Sequence, residues 1–147
     1  MDLTTLSSDD TPDRVRRLCS KALRPLKQEL SNDLGITSLN LTVGAVCVYH
    51  ALVETAAKAL KGSNIPVAAV STGFPHGLSP LPRRIEEIRD SVAAGALEID
   101  IVITRAHVFS GNWEALYQEI KSFREACGDS HLNCLLYTSP SPRDGIG

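Results

Sequence analysis

Leu97-Glu98-Ile99-Asp100-Ile101-Val102-Ile103-Thr104-Arg105 is the stretch that decides the fold. It alternates with period two: Leu97, Ile99, Ile101 and Ile103 point one way, Glu98, Asp100 and Val102 the other. Apolar helical segments on either side supply a cover for the aliphatic face. The acidic face then looks either into solvent, at a sheet edge, or into something enclosed. An enclosed carboxylate is costly unless it has a partner or a task. The enclosed reading makes Asp100 a candidate active-site residue.

Outward from this strand the chain repeats strand, loop and helix. Upstream, 66–72 is a predicted strand closed by Gly73-Phe74-Pro75-His76-Gly77, and 43–49 is a short apolar strand suited to a buried parallel sheet. A helix is expected over 51–61, ended by Gly62. Pro80-Leu81-Pro82 introduces a charged amphipathic helix in which Ile85, Ile88 and Val92 share a face, with Gly95 as its stop. At the start, 2–6 is β-prone and 7–10 is a turn. Thr11-Pro12-Asp13 then has the chemistry of a helix N-terminus: a capping hydroxyl, proline at the first position, an acid in the first turn. That helix runs to about residue 23 and buries Val15, Leu18 and Ala22. Residues 26–40 give no firm element. Downstream, 112–127 is a helix expected to bury Trp113, Leu116, Ile120 and Phe123, and 131–136 begins another strand. Strands alternating with helices imply a parallel sheet with right-handed crossovers, an α/β fold.

Composition narrows the classes. At 147 residues, 43% hydrophobic and 22% charged, the chain can bury a real core. Net charge is −2 with the basic residues scattered, so no footprint for nucleic acid is visible. No apolar run has the length of a membrane span, and the N-terminus opens no signal peptide. Cys19, Cys47, Cys127 and Cys134 lack CxxC spacing and paired histidines, which argues against zinc and fits reduced thiols in a cytoplasmic protein. His76 has the features of a solvated loop histidine, and its glycine-rich turn is a weak anion-nest signal. In 137–147 two prolines and turn residues cannot extend a strand. That tail is similar to a translated sequencing adaptor. It is expected to be artefactual rather than a native disordered terminus, leaving 1–136 as a truncated domain.

Several motifs together carry a family resemblance. MDLTTL at 1–6 with its acidic turn, AVCVY at 45–49, GFPHG at 73–77, the run ending in ALEIDIV at 102, and GNWEALYQEIKSFREACG at 111–128 stand in the order and spacing of the deoxyribose-phosphate aldolases. Each is weak alone; five in order make a specific match. The resemblance implies a (β/α)8 TIM barrel, present here as about four to five β/α units. It implies reversible cleavage of 2-deoxy-D-ribose 5-phosphate to acetaldehyde and glyceraldehyde 3-phosphate through a lysine Schiff base. A small phosphosugar is the implied partner, with no metal or organic cofactor, and a homo-oligomer is compatible. Asp100 matches the catalytic aspartate of the proton relay, Cys47 a cysteine lining the substrate site, and Asp2 an acid on the first strand.

Two departures stand out. The family's Schiff-base lysine and second lysine lie in motifs downstream of those present. Lys21, Lys27, Lys58, Lys61 and Lys121 all fall on predicted helix faces or helix ends. His50 also replaces the proline that usually follows the AVCVY tyrosine. The expectation is therefore an aldolase parent and an inactive 147-residue chain, since half a barrel leaves unpaired edges and an open apolar lumen. Two other classes remain: a small doubly wound α/β ligand-binding protein with a switch point, and a non-catalytic half-barrel binding a partner through its open edge.

Overall fold

The computed structural model describes residues 1–135; the expectation for the 137–147 tail lies outside them. Five strands form one sheet: β1 (Leu3–Thr4), β2 (Val46–Tyr49), β3 (Val67–Ser71), β4 (Glu98–Ile101) and β5 (His131–Cys134). Their order is sequential, β1-β2-β3-β4-β5, and every pairing is parallel. A doubly wound sheet needs a reversal of strand order. None occurs among the described strands, and sequential parallel order is that of a barrel wall.

Helices α1 (Pro12–Leu23), α3 (Val53–Ala59), α4 (Leu81–Ala93) and α6 (Trp113–Cys127) pack on one face, while the short α2 (Gln28–Asp33) and α5 (Arg105–Phe109) bury no residue. The start of α1 is as its residues dictate, with the Thr11 hydroxyl accepting from the Arg14 amide and proline in the first turn. At α6 the Asn112 side chain accepts from the Ala115 amide. The helix expected over 51–61 is shorter, because residues His50–Leu52 form a 3-10 turn before α3.

The main core lies between sheet and helices, where Val46, Val48, Val67, Ala69, Ile99 and Ile101 meet Val15, Ala56, Ile88 and Phe123. Burying each such large side chain contributes about 1.5–3 kcal/mol. The opposite face carries a smaller cluster of Ala45, Cys47, Ala68 and Val70, with Leu6, Tyr49, Phe74 and Leu135 packed on it. Alternation along the strands thus sorts residues as the sequence predicts, aliphatic toward the helices and Asp100 away from them.

Of the four residues expected to be buried in the last helix only Phe123 is, with Leu116 and Ile120 half-buried and Trp113 outside. Trp113 is 62% exposed, as is Tyr117 one turn later, while Phe123 is fully buried. Trp113 begins α6, six residues before its first buried side chain, Glu119. The buried face instead includes Glu119, Phe123 and Cys127.

Candidate active site

Register places the site. Cys47 on β2 is level with Ala68 on β3 and Glu98 on β4, and one step further along the strands Tyr49, Val70, Asp100 and Asn133 are level. These side chains form successive layers on the concave face, as in a barrel interior. Small Ala68 leaves room across β3, and there the Cys47 thiol donates to Asp100 Oδ2 at 3.6 Å. The Asn133 amide donates to Asp100 Oδ1 at 3.0 Å. Sequence reasoning missed Asn133, although alternation along β5 puts it on the same face.

Electrostatics follow from this crowding. Burial, then the Asp100 charge, pushes the Cys47 thiol up to about 12. Burial also raises Glu98, one layer below, with the Asp2 and Asp100 carboxylates adding to the shift. Asp2 is exposed and lies against Gly44, where an added Cβ would come within 2.8 Å of its Oδ1. Of the three residues singled out from sequence, the structure therefore brings Cys47 and Asp100 into contact. Asp2 stands nearby as a charge felt at Cys47 and Glu98.

The GFPHG loop rises from the end of β3. Its Gly73 amide is taken by Glu87 Oε2 at 2.9 Å, and the His76 and Gly77 amides turn back to the Gly73 carbonyl at 3.1 and 2.8 Å. With three amides satisfied internally, the loop is no anion nest, and His76 is exposed. The Tyr49 and Phe74 rings pack edge-on with centroids 5.8 Å apart. All five lysines are exposed and none is on a strand. Among the described residues no group of three or more His, Cys, Asp or Glu could hold a metal ion. No helix there is long and apolar enough to cross a membrane.

A parallel, sequentially ordered β/α sheet with a carboxylate on the face away from the helices defines a half-barrel with a candidate site on that face. Residues 1–144 match the DeoC/LacD family aldolase, and the chain belongs to that family. It is 53% identical over 140 residues to the deoxyribose-phosphate aldolase of Homo sapiens, covering 94% of this chain and 44% of that protein. The Mus musculus enzyme gives the same identity and coverage. A Coccidioides immitis structure solved as a candidate deoxyribose-phosphate aldolase superposes with TM-score 0.77 at 26% identity, over 97% of this chain and 50% of that one. The tetrameric Aeropyrum pernix deoxyribose phosphate aldolase shares the fold, with TM-score 0.64 at 21% identity over 90% and 49%. The chain thus spans less than half the length of the curated relatives it matches.

Proposed function

We propose that the whole protein is a deoxyribose-phosphate aldolase, a lyase of deoxyribonucleoside catabolism in the cytoplasm. Its substrate is 2-deoxy-D-ribose 5-phosphate, and a homo-oligomer is compatible with that activity. The observation that carries this is Asp100, buried on the concave face with the Cys47 thiol on one oxygen.

The chemistry needs a lysine amine to condense with the substrate aldehyde, releasing water and forming an imine. Cleavage of the C2–C3 bond then requires a proton to leave the C3 hydroxyl, giving glyceraldehyde 3-phosphate and an enamine. A proton delivered to C2 and hydrolysis of the imine release acetaldehyde and free the amine. A carboxylate in an enclosed mouth can hold the water that carries both protons. Asp100 has that role, and Cys47 and Asp2 shape and charge the substrate cavity.

Residues 1–136 form the first part of one barrel domain. Lys21, Lys58 and Lys121 lie on α1, α3 and α6, and Lys27 and Lys61 in the connections beside helices. None offers an amine at a strand end, so the 147-residue polypeptide alone is inactive as an aldolase. Trapping with acetaldehyde and borohydride tests both parts. The full-length protein should give one dominant, near-stoichiometric lysine adduct outside these residues, and the 147-residue chain only weak labelling spread over several lysines. Rapid trapping at a single one of the five would show that this chain carries its own nucleophile.

A further inference from the structure

Behind the concave face lies a buried charged network that the proposed chemistry does not use. Arg84 on α4 is 2% exposed and Glu119 on α6 is 4% exposed. Their side chains pair at 2.7 Å, with the guanidinium 4.9 Å above the Phe123 ring. Replacing such a pair by well-packed apolar residues is often neutral or stabilising. Fold stability alone therefore does not call for it.

Its hydrogen bonds show what it holds. Arg84 Nε donates to the Thr72 carbonyl at 2.8 Å and Nη2 to the Val102 carbonyl at 2.6 Å. Nη1 donates to the Thr104 hydroxyl at 2.9 Å, and Glu119 accepts from the Thr104 amide at 2.9 Å. The anchored atoms follow the ends of β3 and β4 directly, and Val102 is two residues beyond Asp100 on the same face of the strand. Thr72 is held at φ +62, a costly conformation for a β-branched residue. Its hydroxyl accepts from the Val102 amide and donates to the Val102 carbonyl, both at 2.8 Å. Gly77 closes the loop against the same atoms: a Cβ there would meet the Ile103 carbonyl at 3.1 Å and Arg84 Nη2 at 3.4 Å.

We infer that Arg84, Glu119 and Thr104 are positioning residues for the reaction at Asp100, fixing the ends of β3 and β4 and the two loops that leave them. None touches the reacting atoms. They act through Val102 and Thr72 on where Asp100 and the GFPHG loop stand. The inference rests on the aldolase reading of the concave face, and the test separates the two.

In the full-length protein, kcat and KM for 2-deoxyribose 5-phosphate cleavage are measured alongside circular dichroism and thermal unfolding. Displacement of about 1 Å can cost roughly a hundredfold in rate. The apolar pair Arg84→Met with Glu119→Leu should fold like wild type, lose about ten- to a hundredfold in kcat and change KM little. Thr104→Val, which leaves the buried pair intact, should lose severalfold in kcat, and Thr104→Ser should restore it. A folded double variant with wild-type kcat overturns the inference. So does a double variant that fails to fold while Thr104→Val keeps full kcat. Asp100→Asn is the reference: full activity there overturns the aldolase reading itself, whatever the positioning variants do.

Discussion

Cys47 and Asp100 belong to strands two apart, yet the thiol reaches across β3 to lie 3.6 Å from the carboxylate. The contact ties a nucleophilic sulfur to the residue proposed to move protons. Burial first, and then that negative neighbour, holds the thiol at about 12, well above its ordinary value.

The thiolate, not the thiol, reacts with alkylating agents. At pH 8 Cys47 should therefore alkylate far more slowly than an exposed cysteine, by mass-spectrometric timing with iodoacetamide. Asp100→Asn removes the charge and should speed labelling; an unchanged rate would mean the carboxylate does not act on the thiol. The linkage has a definite sign. In the unfolded chain the thiol ionises near about 8.5 while the folded one stays protonated. Its contribution to stability is complete below that value and falls as pH rises toward about 12.

Asp100→Asn in the full-length protein keeps the side chain's shape and one acceptor oxygen, which can take the Asn133 amide while its own NH2 faces the Cys47 sulfur. What it loses is the charge needed to take a proton. Folding and borohydride trapping should persist, while turnover falls about 10²- to 10⁴-fold. Steady-state cleavage kinetics check this, and near-normal kcat would make Asp100 structural.

The wall was legible because β4 alternates and β2 is a short apolar run; the alternation separates Asp100 from Ile99 and Ile101, which face the helices, but left open whether its own face is enclosed. Periodicity was less informative in α6. It marks a face but not how far along the helix contact extends, so Trp113 was expected inside and is outside. Arg84 and Glu119 escaped for a related reason. Charged residues in amphipathic helices ordinarily face water, and nothing in the pattern marks Arg84 as a donor to carbonyls just past β3 and β4 or Glu119 as an acceptor from the Thr104 amide. The segment over 26–40 had no clear period and folds as the short α2 and a 3-10 turn at Thr37–Leu39.

The turn after β1 should set part of the acid stability. Asp10 accepts from the Thr5 hydroxyl at 2.8 Å and the Ser7 amide at 3.0 Å, and pairs with Arg14 at 3.1 Å. Burial pushes its carboxyl up, but Thr5, Ser7 and Arg14 together outweigh that and leave it below the usual range. A lowered folded value means stability present above the unfolded value of about 3.9 and lost as pH falls through the folded one. Asp10→Asn should cost about 1–3 kcal/mol at pH 7, and the deficit should shrink below pH 3. Urea midpoints at the two pH values decide it; an equal deficit at both would rule out the charge as its source.

Gly77 and Gly111 offer a matched pair for the loop over the site. Their φ angles are +68 and +67, so alanine at either meets the same left-handed penalty, about 1–2 kcal/mol. Their surroundings differ. At Gly111 a Cβ would meet nothing within 4 Å, whereas at Gly77 it would approach the Ile103 carbonyl at 3.1 Å and Val102 Cγ2 at 3.2 Å. Backbone at that distance can yield only by moving the end of β4, the strand that carries Asp100. In the full-length protein, Gly111→Ala should lose only the conformational term and keep its kcat. Gly77→Ala should lose about 1–3 kcal/mol more in chemical denaturation, as overpacking typically costs, and should lower kcat as the loop and Val102 shift. Equal losses for the two alanines, with kcat unchanged in both, would show that the loop does not bear on the strand end.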